Sequence, residues 1–280
     1  MTERIISSDL LMKFEDHLKN EERSQATIQK YLHDIRVFMT YLSGGIVDKS
    51  KVLSYKEKLG KKYEVSSANS MIAALNTFFR FTEWIDCCVK QFKVQRQIFC
   101  SEEKELTRQE YTRLVETAKK KGNERLNLII QTICCTGIRV SELQHITVEA
   151  VKNGEAVVRC KGKTRTVFFV KELRKRLLRY IQHNELHTGA VFVTKTGKPI
   201  NRTNVWREMK ALCEKAGVSP NKVFPHNLRH LFARTFYGIE KDIAKLADIL
   251  RHSSINTTRI YIVSTGKEHR RRMENMRLVM

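Results

Sequence analysis

The sequence predicts a mainly α-helical chain of two domains, an N-terminal four-helix bundle and an α+β domain with one small antiparallel sheet. Three observations predict it. Apolar residues recur at steps of three and four through residues 1–92, in four separate stretches. Residues 93–105, with KVQRQIFCSEEKE, are charged and carry no period, as a linker would. From residue 106 to 280 the helical period returns, and it gives way to a period of two between Ala156 and Val170.

The first helix is expected over Asp9–Asn20. The second runs from about Ser24 to Leu42, with Ile28, Leu32, Ile35 and Phe38 on one face and Ser43-Gly44-Gly45 as its stop. A third covers Lys49–Leu59, and a fourth starts near Ser66 and carries Met71, Ile72, Leu75, Phe78 and Phe79. Past the linker, Leu106-Thr107 opens a helix with Leu114, Val115 and Ala118. Leu126, Ile129, Ile130 and Ile133 form the next stripe, which Gly137 ends. Ala156–Lys161 and Thr164–Val170 are β-branched runs joined around Gly162, a hairpin signal, and Ala190–Val193 is a candidate third strand. The pattern from Asn204 onward is helical.

The chain has 52 basic and 30 acidic residues, a formal charge of +22. That excess repels itself in a folded state, and a polyanion such as nucleic acid offsets it. The cations are spread along the chain, which favours basic surfaces on folded domains over a basic tail. The seven cysteines include no CxxC pair, so neither a zinc site nor a disulfide framework is expected, and reduced thiols in a cytoplasm fit. No apolar run reaches the roughly 18 residues a membrane span needs. The start, with its early acids, reads as the beginning of a helix and not as a signal peptide.

Four segments carry candidate chemistry. In Thr136–Leu143, Gly137 ends one helix and places Arg139 at the start of the next, a position that suits an anion. The hairpin turn Lys161-Gly162-Lys163-Thr164-Arg165 puts three cations within reach of a phosphate backbone. In Pro225-His226-Asn227-Leu228-Arg229-His230, His226 and Arg229 share a helical face, with Leu228 and Phe232 turned inward. In Leu250–Tyr261, His252 precedes Tyr261 by nine residues, and Ser253 or Ser254 caps the intervening helix. Each segment alone has an ordinary explanation: a solvated arginine, a charged hairpin tip, a decorated surface, a half-buried packing tyrosine.

Together, the order Arg, Lys, His-x-x-Arg, His, Tyr resembles the tyrosine recombinase (phage integrase) family at every motif. TGIRVSEL, KGKTR, HNLRH and RHSSINTTRIYI match it in type, order and spacing, and the N-terminal bundle resembles the family's SAM-like core-binding domain. The compact size looks most like Xer-type members, without an added arm-binding domain. The resemblance implies a site-specific recombinase or integrase that needs no metal and no cofactor. Tyr261 would be the nucleophile that forms a 3′-phosphotyrosyl link to duplex DNA. Arg139 and Arg229 would hold the phosphate oxygens, His226 would serve the tyrosine's proton, and His252 would hydrogen-bond the phosphate. The general acid would be Lys161. The hairpin is one residue shorter than the family's KGNKxR form, so Lys163 is the alternative. Glu142 would pair with a neighbouring cation or orient a histidine. The implied partners are double-stranded DNA sites, further copies of the chain in a tetrameric synapse of two dimers and, in some members, a paralogue; no membrane is implied. The segment from Ser264 to Met280, with Met273, Met276, Leu278, Val279 and Met280, would dock on a neighbouring protomer or fold back on its own domain. The rival readings are a type IB topoisomerase-like enzyme, a catalytically silent DNA-binding regulator and a metal-dependent nuclease.

Overall fold

The computed structural model describes residues 4–94, 102–160, 163–252, 254–262, 270 and 273–276. The chain divides into two compact units, residues 1–96 and 97–280. No described helix is long and apolar enough to cross a membrane.

The first unit holds α1 (Ser8–Asn20), α2 (Gln25–Leu42), α3 (Lys49–Lys62) and α4 (Val65–Phe81). Caps set the starts of three of them. The side-chain oxygens of Ser7, Ser24 and Asp48 accept from the N–H groups of Leu10, Thr27 and Lys51. α2 ends as expected at Ser43, which takes the left-handed conformation at φ 52°. α3 runs three residues past the expected end at Leu59. Gly60 does not break it, because a Cβ there would lie 2.9 Å from the Phe92 ring, so this glycine serves packing and not termination. Lys61 and Lys62 complement the helix dipole in the added turn. The core is aromatic, with Phe14 packed edge-on against Phe78 at 5.2 Å between centroids. Buried Asn76 ties down the segment after α4, accepting from Val89 N at 3.0 Å and donating to Val89 O at 2.8 Å.

The second unit holds α5 (Arg108–Lys120), α6 (Glu124–Thr136), a 3-10 turn over Val140–His145, α7 (Val148–Asn153), β1 (Glu155–Cys160) and β2 (Lys163–Phe168). α8 (Lys171–His183), α9 (Arg202–Lys210), α10 (Cys213–Ala216), α11 (Pro225–Glu240), α12 (Ile243–Leu250) and α13 (Ile255–Tyr261) follow. A reciprocal capping box starts α5. Thr107 Oγ1 accepts from Glu110 N, and Glu110 Oε2 accepts from Thr107 N. β1 and β2 pair antiparallel from Glu155 opposite Phe168 to Cys160 opposite Lys163. Lys161 and Gly162, at the turn, lie outside the described residues. Among the described residues the sheet has two strands. The candidate third strand does not join it. Val191 N donates to Ile146 O, beyond the 3-10 turn, so this run bonds to a loop and makes only isolated bridges.

Two apolar clusters form in this unit. The larger gathers α5 to α11 around Ile129, Ile130, Ile133 and Leu228. The smaller joins Ala233, Leu246, Leu250 and Tyr261, with Phe232 partly buried against it. Gly137 sits where α6 ends, at φ 62°, and a Cβ there would lie 2.5 Å from Phe232 and 3.0 Å from Leu250. Gly137→Ala therefore meets both a left-handed backbone and an occupied space. It is expected to cost about 2–4 kcal/mol of stability, read as a lower urea midpoint at unchanged slope.

Candidate active site

Four parts of the second unit converge on one side chain. Arg229, on α11, is 1 % exposed. Its guanidinium donates to the carbonyl of Gly137 at the end of α6, and to that of Leu250 at the end of α12 at 2.6 Å. Both helices end in left-handed residues, Gly137 and Arg251. Reversing the chain there leaves the last carbonyls, and the negative ends of two helix dipoles, facing the cation. A third donor of Arg229 lies 3.2 Å from His252 Nε2. Burial, followed by the charge of Arg139, pulls Arg229 down to about 10, so it remains a cation at neutral pH.

Arg229 also fixes the state of His252. A guanidinium has no acceptor, so His252 Nε2 must be the acceptor and Nδ1 must carry the proton. Nδ1 then donates to Thr258 Oγ1 at 2.9 Å. Thr258 is buried on α13, one turn before Tyr261. Burial and the charges of Arg229 and Arg139 hold His252 at about 4.

The Tyr261 ring is surrounded by three imidazoles and the Arg229 guanidinium. Its hydroxyl lies 3.3 Å from His226 Nε2. His226 is displaced downward by desolvation and by Arg229, which leaves it neutral and able to accept a proton. Arg229 stands 5.9 Å from the ring centroid.

Arg139 lies at the start of the 3-10 turn, as expected, but its N–H is not free for an anion. It donates to Glu142 Oε2 at 2.9 Å. The Arg139 side chain is the accessible cation of the group, 38 % exposed, with Nη1 3.1 Å from Glu142 Oε1. Glu142 is buried and also accepts from Arg165 Nη2 at 2.7 Å. Burial alone would raise Glu142. The Arg139 N–H and the two guanidiniums outweigh it and hold the carboxylate below its usual range. Of the two expected roles for Glu142, the structure shows pairing with cations.

The structure thus brings together Arg139, Glu142, His226, Arg229, His252 and Tyr261. Lys161 lies outside the described residues, and Lys163 is placed as the first residue of β2. Three neighbours were not read from the sequence as parts of the site. Arg165 was grouped with the exposed cations of the turn, but it shares the inner face of β2 with buried Val167 and binds Glu142 and Ile249 O. Period-two alternation could have found it. Thr258 stands three before Tyr261, and His230 four after His226, both same-face spacings on a helix.

Residues 104–268 match the Phage integrase family, and residues 11–85 match the Phage integrase N-terminal SAM-like domain. The tyrosine recombinase XerA of Pyrococcus horikoshii is 30% identical over 285 residues, covering 99% of this chain and 96% of the relative. The tyrosine recombinase XerC of Lactobacillus delbrueckii is 28% identical over 272 residues, covering 89% and 92%. Among solved structures, XerA recombinase aligns with a TM-score of 0.56 at 24% identity, over 97% of this chain and 99% of that one. A lambda integrase dimer bound to a COC′ core site aligns with a TM-score of 0.74 at 17% identity, over 92% and 78%, which shows a shared fold. The chain belongs to the phage integrase family and is a site-specific tyrosine recombinase.

Two histidines held near 4 make stability depend on pH. Their unfolded value is about 6.5. As pH falls from there toward 4, the unfolded chain takes up protons that folded His230 and His252 refuse, so stability falls. Glu142, held low, keeps its contribution above the usual carboxylate range and loses it only at more acid pH. His252→Asn is expected to flatten the slope between pH 6.5 and 4 by at most ~1.4 kcal/mol per pH unit. Urea midpoints of both proteins across that range check it.

Proposed function

We propose that this recombinase breaks duplex DNA with Tyr261 as nucleophile. The observation that carries the reading is the Tyr261 hydroxyl, 3.3 Å from a neutral His226 and beside a buried Arg229. Tyr261 Oη attacks phosphorus and the bond to the 5′-oxygen breaks, leaving a 3′-phosphotyrosyl link and a free 5′-hydroxyl. His226 takes the tyrosine's proton. Lys161, or Lys163 at the start of β2, gives one to the leaving oxygen. Arg139 and Arg229 hold the non-bridging oxygens, where charge grows in the transition state. Three of the five N–H donors of Arg229 are used by the protein. His252 contacts the phosphate only in the other tautomer, with a proton on Nε2 turned from Arg229 to the phosphate and Nδ1 accepting from the Thr258 hydroxyl, and Glu142 holds Arg139 in place.

The charge of +22 fits a double-stranded DNA partner. Assembly on DNA, as a tetramer of two dimers on two sites, follows the family pattern. The solved lambda integrase tetramer on a Holliday junction supports it by analogy. The free thiols of Cys87, Cys88, Cys134, Cys135 and Cys213 fit a cytoplasmic setting.

The test is covalent capture on a library of nicked duplexes of random sequence. Denaturation, recovery of the bound DNA and sequencing would name the site, and peptide mapping would locate the adduct. The intact chain is expected to yield an adduct on Tyr261, and Tyr261→Phe none, with DNA binding retained. An adduct that survives in Tyr261→Phe overturns the assignment. Guanidiniums stand where a metal-dependent nuclease would place its ion, so capture is expected to proceed unchanged in EDTA. Loss on chelation with recovery on adding magnesium would point to the nuclease reading.

A further inference from the structure

The ring of Tyr261 has three imidazole neighbours in three different attitudes. His226 meets it at 5.3 Å between centroids and 68°, edge to face. His252 lies at 4.9 Å and 44°. His230 lies at 4.2 Å and 18°, face to face. The lone pair and N–H of an imidazole lie in the plane of its ring. A parallel ring therefore directs them past the phenol and not at its oxygen, whereas His226 reaches that oxygen through Nε2. Geometry separates the two residues, although they stand one turn apart on the same helix.

We infer that His230 is a positioning residue for Tyr261, the platform on which the phenol is stacked and aimed. The inference rests on Tyr261 being the nucleophile. A tyrosine has two free side-chain torsions, and α13, which carries it, is seven residues long and belongs to the small apolar cluster. α11, which carries His230, is sixteen residues long and is anchored in the large cluster through Leu228 and Leu231. It is further held by Arg229, whose guanidinium is bonded at both sides. A parallel ring on the firm helix restricts the torsions of a ring on the short one. The hydroxyl is then kept opposite His226. Burial, with His226 and Arg229 nearby, holds His230 down to about 4. A neutral platform adds no charge beneath the phenol.

The experiment compares His230→Ala and His230→Phe with the intact chain on the nicked duplex recovered by covalent capture. Rates of adduct formation are measured across pH, with DNA binding and thermal melting measured alongside. His230→Ala is expected to bind that duplex normally and form the adduct roughly tenfold more slowly. His230→Phe keeps a flat ring with no proton to transfer, and is expected to recover the rate to within about twofold with an unchanged pH profile. A His230→Ala variant as fast as the intact chain overturns the proposal. So does a folded His230→Phe variant as slow as His230→Ala, or one with a displaced pH profile, since either would mean that the imidazole nitrogens matter and the ring face does not. Peptide mapping of the intact chain's adduct separates the two layers. An adduct on Tyr261 leaves the nucleophile standing whatever His230 does, and an adduct elsewhere overturns both.

Discussion

The site depends on burying one guanidinium without neutralising it. Removing an arginine from water costs several kcal/mol unless polar groups replace the solvent. A carboxylate would do so, but it would also cancel the charge that a phosphate must find. Here, among the described residues, Arg229 is met by two backbone carbonyls and one imidazole. The carbonyls are partial charges at helix ends, so they lower the cost of burial while the full positive charge survives. That requirement explains the turn geometry around it. α6 and α12 must both stop at this point, and both do so through left-handed residues that turn their last carbonyls inward.

A second consequence runs outward from the same group. Because Arg229 can only donate, His252 must accept, and the proton this leaves on Nδ1 reaches Thr258 on the helix of Tyr261. Arg229, the proposed phosphate clamp, and the helix that carries Tyr261, the proposed nucleophile, are therefore joined by a chain of hydrogen bonds with one sense of donation. The lone carboxylate of this chain of contacts, Glu142, is used differently. It lies between Arg139 and Arg165, and Arg165 also bonds Ile249 O, so β2, the 3-10 turn and the end of α12 share one tie. Three guanidiniums against one carboxylate leave the group positive, as suits a phosphodiester that gains charge on its way to the transition state.

Much of this was legible in the sequence because it is written in local spacings. The helix starts near Ser24 and Thr107, the stop at Gly137, the hairpin around Gly162 and the His226–Arg229 pair all concern residues within a few positions of one another. The errors arose where a local signal was answered by a distant residue. The third helix reads as ending at Leu59, but it continues to Lys62 with Gly60 packed against Phe92. Ala190–Val193 reads as a strand until Ile146 takes its hydrogen bonds. Arg165 reads as one more surface cation, because Glu142 and Ile249 lie 23 and 84 positions away in the chain. The stacking of His230 on Tyr261 likewise joins two helices that no periodicity relates.

The two apolar clusters of the second unit divide the chemistry between them. Arg229 stands on the part of α11 whose neighbours Leu228 and Leu231 belong to the large cluster, and α6, which presents Gly137, is buried in it as well. Tyr261 belongs to the small cluster with Ala233, Leu246 and Leu250. Local opening costs less where fewer buried apolar groups must separate, so α13 can repack at less cost than α11. The proposed clamp, Arg229, thereby stands on the more deeply anchored helix and the proposed nucleophile, Tyr261, on the less anchored one. A reaction that makes and then reverses a covalent bond to DNA needs its phosphate held in one place throughout, and its tyrosine admitted and withdrawn. The same partition makes the links between clusters decisive. His230 to Tyr261 ties α11 to α13, and His252 to Thr258 ties the segment after α12 to α13.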